Sequence, residues 1–232
     1  MKILALDTST EYCSVALWQD GVVNERSELA GQKHSEMLMT MLDALLKESD
    51  VRINQLDAIA FGKGPGSFTG VRIACGVAQG LALGADLSVV GVCTLEALAQ
   101  ASGHDKVIAA LDARMGEIYL AAYEKNMGDW ETVSEPCLCE AKDSPKVSGE
   151  EWFGAGSGYA VQEAALQLHY GQQLSGVDAQ AVPQASAIAQ IAAIEFTKGN
   201  VVDAALALPL YLRNKVALKT SEREAVRAAV AR

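Results

Sequence analysis

The sequence has little positive charge and very little histidine. Its 232 residues carry 19 lysine and arginine side chains against 29 aspartate and glutamate, a net charge of −10 at pH 7. So acidic a chain gains no general electrostatic attraction to a polyanion, which disfavours autonomous binding of RNA or DNA. The three histidines, His34, His104 and His169, lie far apart without His-x-x-x-His spacing, so we expect no metal site.

Long apolar runs are also missing. The longest uncharged apolar stretch, residues 73–85, is interrupted by Gln79 and by glycines, and it is shorter than the roughly 20 residues that a membrane helix needs. Met1 and Lys2 lead directly into a strand-like segment, without the cleavage site of a secretory signal. The cysteines are odd in number and mostly lie in apolar runs, which favours reduced thiols. We therefore expect a cytoplasmic protein with no membrane segment.

Residues 61–72, Phe-Gly-Lys-Gly-Pro-Gly-Ser-Phe-Thr-Gly-Val-Arg, are the most specific stretch of the chain. Apolar residues 57–61 predict a buried strand before this loop, and residues 69–83 predict a buried helix after it. The glycines permit backbone angles closed to other residues, and the helix-opening amides would favour an anion or a partner's polar group. A Walker loop is excluded because no Gly-Lys-Ser/Thr follows at the required spacing. A tight turn without a ligand is the alternative interpretation.

Two segments of the chain begin alike. Residues 2–10 and 106–115 each read as a strand that ends in an aspartate, Asp7 or Asp112, followed by a second alternating strand. The first half predicts the order β-β-β-α-β-α-β-α, a mixed sheet covered by helices. The second half starts in the same way and then degenerates into shorter helices and longer loops. We therefore predict an α/β fold made by internal duplication.

The duplication sets the expected domain boundaries. We predict a first subdomain over residues 1–103, a second, reduced subdomain over residues 104–213 and a basic C-terminal tail over residues 214–232. In the tail, residues 221–224 have the form of a capping box that opens a short helix. A solvated, partly frayed terminus is favoured there over a contact with nucleic acid.

A strand that ends in Asp7 and turns at residues 8–10 resembles the first phosphate hairpin of the actin, sugar-kinase and Hsp70 superfamily, with Asp112 in the second hairpin. Together with residues 64–72, the pattern closely resembles the TsaB (YeaZ) family, relatives of TsaD in tRNA threonylcarbamoylation. The resemblance covers nearly the whole chain up to Ala217. Further matching segments are residues 3–10, 78–84, 94–98, 112–117 and 211–214. The resemblance implies two actin-like, ribonuclease H-like subdomains.

What the resemblance implies about function is a required but non-catalytic subunit. A TsaD-like partner would transfer threonylcarbamoyl from threonylcarbamoyl-AMP to N6 of the adenosine beside the anticodon. A TsaE-like ATPase would complete the assembly, and tRNA would be reached only through the complex. Catalytic TsaD-like members hold a metal through two histidines on the helix that begins near Thr94, and this chain has none there.

The sequence has few of the features that bind the phosphates of a nucleotide. Residues 8–10 and 113–115 place side chains where phosphate hairpins rely on glycine. We expect no cofactor bound autonomously, and the resemblance leaves room for a weak nucleotide at the partner interface. The candidates for a vestigial nucleotide site or interface loop are Asp7, Ser9, Gly64, Gly66, Ser67, Thr69 and Arg72, with loop capping as the favoured alternative role.

Two apolar helices give the clue to a partner. Residues 33–47 predict a helix with methionines, which fit exchangeable surfaces, and glycines recur every four residues in the next helix. Each mid-helix glycine costs roughly 0.5 to 1 kcal/mol relative to alanine, so the repeat implies close approach of another backbone. Covering of the protein's own sheet explains most apolar positions, and the resemblance adds binding to TsaD. The interface candidates are His34, Met37, Met41, Leu45, Gly76, Gly80 and Gly84, and the same faces would allow a homodimer without the partner.

Two other functions are open to the same sequence. A stand-alone small-molecule kinase or ATPase of the same superfamily would require tight ATP binding by the isolated chain. A peptidase would need a nucleophile, a base and an orienting group. The serines near His34 are its neighbours in sequence, and helix geometry keeps such neighbours from facing each other.

Overall fold

The computed structural model describes residues 1–213, so the predicted tail lies outside the described residues. The strands are β1 Lys2–Asp7, β2 Tyr12–Gln19, β3 Val22–Leu29, β4 Ala58–Gly64, β5 Ser88–Cys93, β6 Lys106–Arg114, β7 Glu117–Asn126, β8 Asp129–Glu140, β9 Trp152–Ala155 and β10 Leu174–Asp178. The α-helices are α1 His34–Glu48, α2 Phe68–Ala85, α3 Thr94–Ser102, α4 Gly158–Val161, α5 Glu163–Tyr170 and α6 Ala185–Thr197. Short 3₁₀ turns occupy Ile53–Gln55, Ala141–Asp143 and Ala204–Leu206.

The first sheet has the strand order β3-β2-β1-β4-β5. Strands β1, β2 and β3 form an antiparallel meander, whereas β4 and β5 run parallel to β1. The central strand β1 is buried on both sides because successive side chains point to opposite faces. Leu4 and Leu6 pack with α1 and α2, and Ile3 and Ala5 pack with α6.

The second sheet repeats this plan with the order β10-β9-β6-β7-β8. Again three strands form an antiparallel meander and two run parallel to the first of them. One face packs against α3, and the other packs against α4 and α5. The repeated order confirms the predicted duplicated α/β fold with mixed sheets covered by helices.

Helices α3 and α6 lie between the two sheets. Helix α3 follows the first sheet in sequence but packs on the second, where Leu95 and Leu98 join its core. Helix α6 lies within the range predicted for the second subdomain, yet Ile188 and Ile191 pack on the first sheet. The domain boundaries at residues 103 and 213 stay a prediction. Helices α3 and α6 each pack on the sheet that lies on the other side of the boundary at residue 103.

Helix α2 starts earlier than the sequence indicated. Ser67 is its N-cap residue and accepts a hydrogen bond from the Gly70 amide, and Asp86 ends the helix in the left-handed conformation with φ of 55°. The helix has 18 residues and a mean hydropathy of 1.3, so by length and composition it could cross a membrane. A core helix can meet the same criterion, and Val71 and Ala74 are buried on the inner side of α2.

Candidate functional site

The β1–β2 turn packs backbone to backbone against the loop between β4 and α2. The Thr8 hydroxyl donates to the Gly70 carbonyl at 2.7 Å, and the Ser67 amide donates to the Ser9 carbonyl at 2.7 Å. A Cβ atom at Gly70 would lie 1.8 Å from the Thr8 carbonyl oxygen, and one at Gly66 would lie 2.6 Å from that of Ser9. Glycine is therefore required at both positions, because any side chain would push the two loops apart.

Asp7 lies at the base of this contact and is almost completely buried. Its Oδ2 accepts hydrogen bonds from the Ser9 amide at 3.2 Å and the Ser9 hydroxyl at 2.8 Å. Among residues 1–213, Oδ1 has no hydrogen-bond partner, and a Cβ atom at Gly62 would lie 2.0 Å from it. Burial raises the pKa of Asp7 from 3.8 to about 6, and the hydrogen bonds from Ser9 oppose the rise.

The other candidates from the same loop are dispersed. Gly64 has a φ of 102°, and its amide donates to the Thr94 hydroxyl at 3.1 Å. Thr69 is exposed on the first turn of α2, where Ser67 rather than Thr69 provides the cap. Arg72 is exposed, and its guanidinium carbon lies 3.3 Å from the centroid of the Phe68 ring. The structure thus brings Asp7, Ser9, Gly66 and Ser67 together and leaves Thr69 and Arg72 outside.

The second hairpin is a tight turn held by Asp112 and by contacts with Arg114 and Ser157. The Asp112 amide donates to the Ser157 hydroxyl at 3.0 Å, and the Asp112 carboxylate pairs with Arg114 at 2.9 Å. Arg114, Met115 and Gly116 all have left-handed backbone, with φ of 65°, 59° and 82°. Sequence reasoning missed Ser157, because nothing in its glycine-rich surroundings pointed to a contact 45 residues upstream.

Arg213 is a second residue that sequence reasoning did not assign. Its guanidinium donates to the Ala113 carbonyl at 3.1 Å and pairs with Glu117 at 2.6 Å. Just before it, the Leu210 amide donates to the Lys63 carbonyl at 2.6 Å. The segment that ends the described chain therefore joins the loop after β4 to the β6–β7 hairpin. The sequence signal that could have identified Arg213 is its position in residues 211–214, one of the segments that resemble the family.

Three interface candidates on α1 face the protein's own core, and this corrects the prediction. His34 is 7% exposed, and its Nε2 lies 2.9 Å from the Thr10 carbonyl oxygen and 3.2 Å from that of Tyr12. Met41 and Leu45 are buried in the core of the first sheet. Met37 is half-buried and packs on the same core. The apolar stripe of α1 thus covers its own sheet, so His34, Met41 and Leu45 offer almost no surface to a partner.

The glycines of α2 have the opposite orientation. Gly76, Gly80 and Gly84 are exposed, and a Cβ atom at any of them would find no atom of residues 1–213 within 4 Å. Leu83 is exposed beside them. We call Gly76, Gly80, Leu83 and Gly84 the α2 face. It is a smooth, apolar strip of helix backbone open to solvent.

The chain before Arg213 widens this strip. The Ala207 carbonyl accepts from the Gln79 amide at 2.9 Å and from the Cys75 thiol at 3.3 Å, so the segment lies along α2. Leu206 and Leu208, on either side of Ala207, are largely exposed. Exposed leucines beside an uncovered glycine strip are typical of a protein–protein contact.

A polar junction holds the two sheets together on the other side of the molecule. Gln100 accepts hydrogen bonds from Trp130 at 2.8 Å and Lys125 at 3.2 Å, and it donates to Gln190 at 2.5 Å. Next to it, burial and then the Glu195 carboxylate raise the pKa of Glu96 from 4.5 to about 7, while Lys63 and Lys198 oppose the rise. The adjoining cavity, of about 80 Å³, is too small for a nucleotide.

The described part of the chain has no cluster of side chains that could bind a metal ion. Residues 1–213 contain no group of three or more histidine, cysteine, aspartate or glutamate side chains placed to hold a metal ion. The five cysteines are free thiols.

Comparison with known proteins gives a consistent result at the level of sequence. The family model for TsaD, described as tRNA N6-adenosine threonylcarbamoyltransferase, matches residues 18–224. The tRNA threonylcarbamoyladenosine biosynthesis protein TsaB of Escherichia coli K12 is 42% identical, with 94% of this chain and 97% of that protein covered. The protein of the same name from Haemophilus influenzae is 38% identical, with 94% and 96% covered.

Solved structures agree with the sequence relatives. YeaZ from Pseudomonas aeruginosa superposes with a TM-score of 0.83 at 37% identity, covering 91% of this chain and 99% of that one. A second structure, described as an uncharacterized protein with similarity to peptidase YEAZ from the same organism, gives a TM-score of 0.85 at 38% identity with the same coverage.

Proposed function

The chain belongs to the TsaB family, and we propose that it is a required, non-catalytic subunit of the complex that threonylcarbamoylates tRNA. Family membership supports a role in tRNA threonylcarbamoyladenosine biosynthesis. In the proposed complex this chain binds and activates a TsaD-like catalytic partner. That partner transfers threonylcarbamoyl from threonylcarbamoyl-AMP to N6 of the adenosine adjacent to the anticodon.

The α2 face is the observation that carries the proposal. Repeated glycines in a helix interior destabilise the helix by roughly 0.5 to 1 kcal/mol each, and the described residues place nothing against them. Such a strip allows a second helix to pack against it with the two backbones in close approach. The TsaD family model matches most of this chain, so a TsaD-like partner is expected to have a related helix layer. Two related layers can pack face to face.

The first hairpin, formed by β1 and β2, supports the proposal that this chain is not a catalyst. The turn after β1 uses its Thr8 hydroxyl and its Ser9 carbonyl to bind the loop before α2. The side chain of Asp7 is closed in by Gly62 and Ser9. These groups serve the protein's own backbone, so tight binding of a nucleotide by the isolated chain is not expected.

The remaining parts of the assembly complete the proposal. A TsaE-like ATPase is the third component, tRNA is bound only through the complex, and the protein works in the cytoplasm. A weakly bound nucleotide at the partner interface is compatible with this arrangement. In the absence of the partner, two copies of this chain pair through the α2 face.

A stand-alone kinase or ATPase is the second candidate, and it is favoured by the Oδ1 atom of Asp7, which has no hydrogen-bond partner among the described residues. A buried carboxylate after the first strand could face a magnesium–nucleotide complex if the loops parted. Isothermal titration of the isolated chain with Mg-ATP separates the two functions. Micromolar affinity favours the kinase, and no detectable heat favours the accessory subunit.

Reconstitution tests the proposed function. This chain, a TsaD-like protein and a TsaE-like protein are mixed with unmodified tRNA and threonylcarbamoyl-AMP, and threonylcarbamoyladenosine is measured by mass spectrometry. We expect product only when this chain is present. Equal product without it would show that the chain is not required.

A further inference from the structure

Arginine is concentrated at one place in the described chain. Of the five arginines among residues 1–213, Arg72, Arg114 and Arg213 lie where the start of α2, the β6–β7 turn and the segment after Ala207 meet. The other two, Arg26 and Arg52, lie elsewhere on the first half. Three of the five arginines of residues 1–213 thus lie at one edge of a protein whose net charge is −10.

Side-chain contacts hold two parts of this edge, and the chain from Tyr211 to Arg213 joins them. The guanidinium carbon of Arg72 lies 3.3 Å from the ring centroid of Phe68 and 5.0 Å from that of Tyr211. Two residues after Tyr211, roughly 7 Å along the chain, Arg213 contacts the Met115 sulfur at 3.9 Å. We call Phe68, Arg72, Arg114, Met115 and Tyr211 the rim.

The rim combines partly exposed aromatic and methionine side chains with accessible positive charge. Phe68 is 46% exposed, Tyr211 is 45% exposed and Met115 is 70% exposed. Among residues 1–213, no carboxylate lies within salt-bridge distance of Arg72. The Arg114 side chain is 83% exposed although it touches Asp112. Arg213, in contrast, pairs with Glu117 and donates to the Ala113 carbonyl. Arg213 therefore holds the segment after Ala207 against the β6–β7 hairpin, and we call this contact the brace.

We propose that the rim contacts unpaired nucleotides of the tRNA when this chain is in its complex. Single-stranded nucleic acid is bound by aromatic faces that stack on bases and by arginine that stacks on bases or pairs with phosphate. Tyr211 and Phe68 supply the rings, and Arg72 and Arg114 supply the cations. The inference rests on the proposed function, because the complex is what brings tRNA to this chain.

The chemistry of the rim favours RNA over a second protein surface. Its aromatic rings and arginines differ from the α2 face, which is made of glycine and leucine and suits a helix. The acidity of the remaining surface explains why the rim acts inside a complex, since the isolated chain repels a polyanion overall.

Fluorescence anisotropy tests the inference with the assembled complex and a labelled tRNA that lacks the modification beside its anticodon. The variant Arg72→Ala/Arg114→Ala is expected to weaken tRNA binding about tenfold and to make the slope of log K against log salt shallower by about 1 to 2. The matched control is Arg52→Ala, an exposed arginine away from the rim, which leaves both quantities unchanged. Tyr211→Ala is expected to weaken binding several-fold through lost stacking, and Tyr211→Phe is expected to retain it.

Light scattering on the same samples separates the outcomes. Unchanged tRNA affinity in an intact variant complex overturns the rim inference and leaves the proposed function standing. Loss of the complex in the rim variants shows that the rim binds the protein partner, which also overturns the inference. A wild-type chain that forms no complex with a TsaD-like protein overturns the proposed function and, with it, this inference.

Discussion

Gly62 faces the carboxylate of Asp7 so closely that a Cβ atom at position 62 would lie 2.0 Å from Oδ1. The two residues lie on neighbouring parallel strands, β1 and β4, which pair directly. Burial of this acid against bare backbone is costly for the folded state, because one of its oxygens has no hydrogen-bond partner within residues 1–213. The folded protein therefore has no room for a side chain at position 62.

Substitution of Gly62 tests this contact. Gly62→Ala is expected to lower the free energy of unfolding by about 2 to 4 kcal/mol, because the new methyl group displaces the buried carboxylate. Urea unfolding followed by circular dichroism measures the change. Gly80→Ala is the matched control, since its Cβ enters open space and alanine favours the helix. Equal stability of the two variants would contradict the account of the contact.

The raised pKa of Asp7 predicts a particular dependence of stability on pH. The folded-state pKa of about 6 exceeds the ordinary value of 3.8, so the folded protein binds this proton first as the pH falls. Between pH 6 and about 4, Asp7 therefore adds to the free energy of unfolding as the pH falls, by roughly 3 kcal/mol in total. Above pH 6 the buried charge destabilises the folded state.

Asp7→Asn removes this titration. We expect the wild-type protein to gain stability relative to the variant on acidification from pH 6 to 4, measured by urea unfolding at each pH. Glu96, whose pKa is also raised, contributes equally to both proteins and cancels in the difference. Parallel curves for the two proteins would show that Asp7 keeps an ordinary pKa when folded.

The thiols of Cys137 and Cys139 provide a separate test away from the proposed interfaces. The two residues lie on the same face of β8, and a hydrogen bond from the Cys137 thiol lowers the pKa of Cys139 to about 7. Cys139 should therefore react with iodoacetamide at pH 7 faster than the other cysteines. Cys137→Ala should slow that reaction at least about fivefold, because the donor is lost and the thiolate becomes rarer. Peptide mass spectrometry gives the rates, and an unchanged rate in the variant would exclude the hydrogen bond.

The sequence was sufficient for the elements and for the duplication. The helix predicted over residues 33–47 is α1, His34–Glu48, and the strand predicted over residues 57–61 is the start of β4, Ala58–Gly64. The glycine repeat in α2 was also visible, since its spacing is a local property. The elements and the glycine repeat could be predicted because each depends only on residues that are close together in the chain.

The orientation of side chains could not be predicted in the same way. A stripe of apolar residues on α1 has the same pattern whether it covers its own sheet or a partner, and only the packing of Met41 and Leu45 decides between them. The contact between Asp7 and Gly62 joins strands separated by two other strands and a helix in sequence. The brace formed by Arg213 likewise depends on a contact 100 residues away. Such features follow from the fold and not from local patterns.

Binding of a TsaD-like protein to Gly80→Leu tests the central claim most directly. The matched control is Ala164→Leu, which adds the same side chain at an exposed position of α5. Titration calorimetry should show Gly80→Leu binding at least about 100-fold more weakly, a loss of the size seen when the centre of an interface is disrupted. Ala164→Leu should bind like the wild type, and far-UV circular dichroism should be the same for all three proteins. Full binding by Gly80→Leu, or a collapsed fold in that variant, would contradict the assignment of the α2 face as the surface that receives the catalytic partner.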